Sequence, residues 1–523
     1  MGIELLKKSL SIRISVQPLY SKLTVLLILL NTTVVFSQDK RDYQWFFGSN
    51  QAEYPEFRAF QFDFNTVPFK PALRDRGLRF DQNNTSLCDK NGNLLLYSNG
   101  CAIANRDHEV MMNGDSINVG EFLEDFWSDG VCGIGYPGHQ DMLTLEDPGY
   151  EDGYYVIHKR LDRHSDGKFH VLSLSYSYVD MALADGLGGV TEKNVDFYTS
   201  DKFLWSYLSA LYQPNGKDWW IVNPGADNKF YFFALDDSGI QLSHTQDAEH
   251  EFHPFNASAS GNARFSPDGL KYAYFNQYDG LLLYDFSRST GELSNMRKIN
   301  FPEPDGAKFA TCEWSPNSEY IYLATGDSLW QVEVGYEDLK EGREFIAEYN
   351  GVKDPFSTRF FTSALGPDCR IYIRPGSSTY SFHVIHQPDK KGIACNFVQQ
   401  GLKLPEVSST GSFPNYPRFR VDAEDKCDPT LLSVLGEEVF WRQDLIIYPN
   451  PASAFITIEA TTDSSGDLYI IDPSGKIVSH HKEVETMDCI NVSLLSAGTY
   501  IVEFIPSENS EKVVYTYQLI IQN

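Results

Sequence analysis

Residues able to do chemistry are sparse in this chain, and the clearest group is His139-Gln140-Asp141. It follows a long segment, Met111 to Gly138, that holds Glu121, Glu124, Asp125, Trp127 and Asp129. An imidazole and a carboxylate so placed could bind a sugar or serve as acid and base. Cleaving a glycosidic bond would further require two carboxylates at a fixed separation. The competing role is structural, a histidine and an aspartate capping a strand through local hydrogen bonds. Trp127 offers a ring face for stacking on a sugar, against burial in its own loop. The ligand-binding candidates are therefore Trp127, Asp129, His139 and Asp141, and His139 and Asp141 are catalytic candidates only under an enzymatic reading.

Other signatures fail. There is no Gly-x-Ser-x-Gly and no α/β segment to hold a nucleophile elbow. His108-Glu109 lacks the second histidine of a zinc-protease helix. His244, His250, Glu251 and His253 read as a solvated loop between blades rather than a metal site. No calcium loop and no Cys-x-x-Cys pair occurs. No metal and no cofactor is assigned.

The elements that must carry these residues recur. Ser266-Pro-Asp-Gly269 separates Arg264-Phe265 from Tyr272-Ala-Tyr-Phe275 as strand, tight turn and strand. Equivalent turns fall at 90, 151, 214, 267, 316 and 367, spaced by 61, 63, 53, 49 and 51 residues. Strand-rich units repeating near fifty residues, with no helical pattern between them, predict a β-propeller. The apolar runs after each turn predict strands covered on both faces by neighbouring blades. Third strands are expected over 229–235, 281–286, 329–332 and 382–385. Residues 43–64 and 414–420 look like orphaned strands, and sharing one blade between the two ends would close the ring. That gives seven blades, with six or eight as alternatives. The stretches 111–138 and 180–203 read as long insertions, where binding surfaces tend to sit.

The formal charge of −28 argues against nucleic acid and anionic lipid as partners. Basic residues, the apolar run Leu23 to Phe36 and Ser37 predict a signal peptide over 1–37. No later stretch is long and apolar enough to span a bilayer. In an exported protein the eight cysteines could form disulfides. Cys88 and Cys101, on the first and third strands of one blade, are too far apart to pair. The propeller is expected over 38–422, a connector over 423–445 and a compact β-sandwich over 446–523.

That C-terminal module resembles the type A sorting domain of the bacterial type IX secretion system. Tyr448-Pro449-Asn450-Pro451-Ala452, Asp472-Pro-Ser-Gly-Lys-Ile-Val478 and Leu495-Ser-Ala-Gly498-Thr499-Tyr500 carry the likeness. The basic residue that commonly precedes the family's last strand is missing at Gln518-Leu-Ile-Ile521. The resemblance implies recognition by the type IX machinery, export across the outer membrane, and release or surface attachment. The body resembles secreted WD-like propellers that carry such tails, through Leu87 to Gly100, Asn105 to Met111 and Gly216 to Val222. Two readings follow: a surface propeller that binds a glycan or a protein, or a propeller-type carbohydrate-active hydrolase or lyase.

Overall fold

A computed structural model describes residues 39–522 except 50–56, 67–68, 81, 127–134, 254–260, 302–309, 410, 425, 429–430, 432–444, 461–464, 473–475, 486–487 and 508–514. The expected leader and most of the connector lie outside the described residues.

All six predicted turns close in the same way. The N–H groups of Asp89, Asp147, Gln213, Ser266, Ser315 and Gly366 donate to carbonyls four to six residues on, at 2.7–2.9 Å. Short polar side chains reinforce two of them: Ser266 Oγ meets Asp268 Oδ1 at 2.5 Å and Ser315 Oγ meets Asn317 Oδ1 at 2.7 Å. Such residues favour turns because they hydrogen-bond their own backbone neighbourhood.

Each turn joins the first two strands of an antiparallel sheet. Four sheets have four strands in sequence order, beginning at Met142–Glu146, Ser209–Tyr212, Gly261–Phe265 and Thr311–Trp314, and the four strands from Phe360–Leu365 to Phe397–Ser408 follow the same order within a seven-stranded sheet. A three-stranded sheet (Thr85–Cys88, Leu94–Ser98, Ile103–Asn105) precedes them. Burial falls from the first strand outward. Thr311–Trp314 and Tyr320–Ala324 are wholly buried, whereas Arg343–Glu348 on the outside of the same sheet is not.

Side-chain alternation explains why the second strands read as unbroken apolar runs. In Lys271–Asn276, Tyr272 and Tyr274 enter one core while Ala273 and Phe275 enter the next. Tyr320 and Tyr322 likewise face the core opposite to that of Ile321 and Leu323. Successive cores thus lie between successive sheets. The last of them joins Tyr372, Phe382 and Leu402 of the final sheet to Trp45, Phe47 and Phe62 at the N-terminus, so the ring closes. This is a β-propeller.

Closure differs in detail from the expected shared blade. Gln44–Gly48 pairs with Phe57–Asp63, which adds Ala72–Leu73 and meets the final strand Phe397–Ser408 over a two-residue parallel register, Phe57↔Val407 and Arg58↔Ser408. Residues 414–420 form no strand there; apart from one parallel bridge at Arg418 they lie off the sheets. Pro414 and Pro417 lack the N–H that a ladder needs. The expected insertion at 180–203 is also corrected. Most of it is the bulged strand Gly189–Phe203, the fourth of its sheet. Four register shifts break its alternation, which hides it from a period-two reading.

Residues Leu445–Ile521 form a small β-sandwich. Leu445–Tyr448, Phe455–Ala460 and Cys489–Asn491 face the sheet Ile477–Val484, Gly466–Ile471, Gly498–Pro506 and Tyr515–Ile521. Ile447, Ile456, Ile458, Leu468, Val502, Phe504 and Leu519 fill the space between. Its opening motif secures the last strand. Ile520 N–H donates to Asn450 Oδ1, Ala452 N–H to Ile520 O, and Gln522 N–H to Ala452 O, each at 2.8 Å. Gly498 and Thr499 pair with Ile521 and Ile520, and Tyr500 reaches the core with its hydroxyl on Ser496 O at 2.9 Å.

Candidate functional site: the propeller axis

The first strands of the sheets surround an axis that two segments enter: His139-Gln140, ahead of Met142–Glu146, and the strap Ser412–Arg418. Asn415 in the strap works as a hub. Its N–H donates to Asn84 O at 2.9 Å, and its amide donates to Met142 O at 2.8 Å and Leu208 O at 3.0 Å. Its Oδ1 accepts from Arg264 Nη1 at 2.7 Å and Gln140 Nε2 at 3.4 Å. One side chain therefore ties segments of several sheets. Arg418 adds a charged anchor: Nε donates to Phe265 O at 2.8 Å and Nη2 meets Glu313 at 2.7 Å, with Arg264 Nε on the other Glu313 oxygen at 3.5 Å. Glu313 is 2% exposed, and these two guanidiniums pair its buried carboxylate.

Beside the strap lies a cavity of about 20 Å³, room for roughly one water. His139, Asn262, Thr311, Thr362, Ser363 and Phe413 form much of its wall. The His139 ring stands edge-on to Phe361 at 4.8 Å, and its Nδ1 has no hydrogen-bond partner among the described residues. Burial, aided by the Arg374 guanidinium, lowers its pKa to about 4. His139 is therefore neutral at pH 7.

Asp141 does not line this cavity. It is 3% exposed, bonded to Lys159 Nζ at 2.7 Å, and accepts the Ser206 N–H at 2.6 Å. Lys159, 1% exposed, also donates to Leu204 O at 2.9 Å and to Ser206 O. Burial pushes the Asp141 carboxyl up and the Lys159 ammonium down, and each charge opposes the other's shift. His139 thus faces the axial cavity while Asp141 is absorbed by a buried ion pair.

The other candidates disperse. Trp127 and Asp129 lie outside the described residues. Glu121 and Asp125, on the short helix Glu121–Phe126, both pair with Arg163. The expected histidine loop is also corrected: His244 belongs to the strand Gly239–Asp247, where it stacks on Phe232 at 4.6 Å. His250 pairs with Asp279 at 3.1 Å, and His253 stacks on Tyr278 at 4.1 Å. The axial residues Arg264, Glu313, Asn415 and Arg418 had no local signature. The prolines at 414 and 417 were the one sign that the strap is not a strand.

Of the cysteines, Cys369 and Cys427 form a disulfide and Cys101 is disulfide-bonded, whereas Cys88, Cys312, Cys395 and Cys489 are free. Cys88 and Cys101 are thus not partners, although Cys101 lies in the bend ahead of the third strand Ile103–Asn105 rather than on it. Among the described residues, no helix is long and apolar enough to cross a membrane.

Fold and tail together define the class, a β-propeller carrying a secretion tail. Residues 446–522 match the secretion system C-terminal sorting domain family. No curated protein matches the chain. Among solved structures, the chain is similar to a protein of unknown function from Desulfotomaculum acetoxidans, at 10% identity over 71% of this chain and 99% of that one, with a TM-score of 0.37. It is also similar to the periplasmic gluconolactonase of Pseudomonas aeruginosa, at 11% identity over 71% and 98%, with a TM-score of 0.36. A third is the Aleuria aurantia lectin bound to α-methyl-L-fucoside, at 12% identity over 56% and 90%, with a TM-score of 0.26. Likenesses this distant say nothing of activity.

Proposed function

We propose that the protein is exported behind a signal peptide spanning 1–37, handed across the outer membrane by the type IX machinery through 446–523, and acts at the cell surface or outside the cell. There the propeller, spanning 38–422, serves as a non-enzymatic recognition module for a glycan or a protein. The observation that carries recognition over hydrolysis is the occupied axis. The strap crosses the axis on Asn415, and both carboxylates there are committed, Glu313 to Arg264 and Arg418 and Asp141 to Lys159. A general acid or base needs an adjustable proton within reach of substrate, and Asp141 has neither access nor freedom. Recognition is then assigned to the sequence insertion 111–138, with Trp127 and Asp129 as the lead residues and His139 secondary.

A glycan-array screen of the mature chain, followed by product analysis on each hit, tests this. Binding without cleavage, weakened by Trp127→Ala, is the expected outcome, and bond cleavage would overturn it. Silence on every glycan moves the ligand to the protein class. Delivery is tested separately: deleting 446–523 in a type IX-competent host should trap the remainder in the periplasm. Normal surface delivery of the truncated chain sinks the sorting role.

A further inference from the structure

The hairpin joining Gly153–Arg163 to Phe169–Asp180 brings together three metal-ligating side chains that the recognition reading leaves unused. One Asp166 carboxylate oxygen lies 3.4 Å from His164 Nδ1, and the other lies 2.9 Å from His170 Nε2. One ligand atom from each residue falls within 4.8 Å of the other two. Around a tetrahedral ion with bonds of about 2.0–2.1 Å, ligand atoms stand roughly 3.3 Å apart. Small side-chain rotations would close the observed triangle onto an ion.

The hairpin backbone holds this arrangement. His164 N–H donates to Lys168 O and Gly167 N–H to His164 O, each at 2.9 Å, and Lys168 N–H donates to Asp166 Oδ1 at 3.0 Å. Gly167 closes the turn at φ 78°, a conformation that costs glycine little. The register Asp162↔His170 and Arg163↔Phe169 sets both histidines on one face. Their rings stand 5.3 Å apart, edge to face. The neighbouring Arg163 guanidinium is engaged outside the site. Arg163 is bonded to Glu121, Asp125 and Gly167 O, and lies over the Phe169 ring.

We propose that His164, Asp166 and His170 form a binding site for one divalent transition-metal ion, Zn²⁺ or Cu²⁺, at the tip of this hairpin. Two imidazoles and one carboxylate suit those ions, whereas Ca²⁺ and Mg²⁺ prefer all-oxygen shells. Three protein ligands leave a coordination position open to solvent, as in zinc sites that bind an exogenous group. The site is independent of the axial cavity and of the recognition reading.

The experiment is calorimetric titration of the mature chain with ZnCl₂, repeated for His164→Ala, His170→Ala and the double variant. His164 and Asp166 sit in the hairpin turn and His170 at the start of the following strand, so the variants should keep the far-UV circular dichroism of the parent. One equivalent of zinc is expected, weakened at least tenfold by each single substitution and abolished by both. His250→Ala, at a distant pair with Asp279, should leave it unchanged, and excess Ca²⁺ should not compete. Cu²⁺ bound in place of zinc should show imidazole nitrogen couplings in its electron paramagnetic resonance spectrum, lost in the double variant. No uptake, or uptake and couplings unaltered in the double variant, overturns the site.

Discussion

Asp141 and Lys159 illustrate why a residue that looks reactive in a sequence can be inert in a fold. Each is withdrawn from water, and each is held by its partner and by backbone groups of the 204–206 turn. Removing one member of such a pair leaves an uncompensated charge, which typically costs about 3–5 kcal/mol, whereas replacing both by well-packed apolar groups is often close to neutral. Asp141→Asn should therefore lower the urea unfolding free energy of the mature chain by about that amount, and Asp141→Asn combined with Lys159→Met should recover much of it. Equal losses in the single and double variants would mean that the pair is not what Asp141 supplies. The hydrogen bonds that decide this came from Ser206, far along the chain, so the residue type was legible in the sequence and its role was not.

At the scale of elements, local chemistry was readable and long-range closure was not. Ser266-Pro-Asp-Gly269 and its five counterparts declare their turns because the turn is built from the residues within it. The apolar second strands follow from being covered on both faces. The strap departs from expectation because its partners, Asn84, Met142, Leu208 and Glu313, are remote in sequence and no pattern within 412–418 encodes them. A similar remoteness hides the anchor at its end. Cys427 is joined to Cys369, closing a loop across 58 residues, and Asp428 N–H donates to Pro367 O at 2.6 Å. Arg420 adds a two-pronged pair to Asp42 at 2.5–2.6 Å. The strap is thus fastened both to the turn leading into Ile371–Pro375 and to the N-terminal segment. A cross-link over a loop of this length stabilises by about 2–4 kcal/mol. The Cys369→Ser, Cys427→Ser variant should lose that amount in chemical denaturation. It should also become sensitive to protease within 412–428 while the remaining sheets stay resistant. Unchanged stability and an intact strap would mean that the Arg418 and Asn415 contacts hold it unaided.

For the molecule as a whole, acid is the informative perturbation, because two opposing terms separate by pH. The chain carries a formal charge of −28, so protonating carboxylates relieves self-repulsion, but ordinary carboxyls do this mainly below about pH 5. Buried histidines act earlier and with the opposite sign. His158 Nδ1 donates to Asn118 Oδ1 at 2.6 Å while Nε2 accepts from Ser177 Oγ at 3.2 Å, and burial lowers its pKa to about 3. His383 is pinned as the neutral ring: Nε2 donates to Thr358 O at 2.7 Å while Nδ1 accepts the Gln400 N–H at 3.2 Å, and burial lowers its pKa to about 4. In the unfolded chain both titrate near 6.5, so as pH falls below that value the unfolded state takes up protons that the folded state refuses. Stability from these groups is complete above pH 6.5 and drains away on acidification towards pH 4, at up to about 1.4 kcal/mol per pH unit for each. Between pH 7.5 and pH 5 the two together should remove about 4 kcal/mol from the unfolding free energy. Replacing His383 by Gln should remove its own share, about 2 kcal/mol over that range, whatever it does to stability at pH 7.5. Urea titrations at a series of pH values read the slope directly. A profile flat from pH 7.5 to 5, or one that rises as charge repulsion is relieved, would show that these imidazoles are not held neutral by the packing between the sheets.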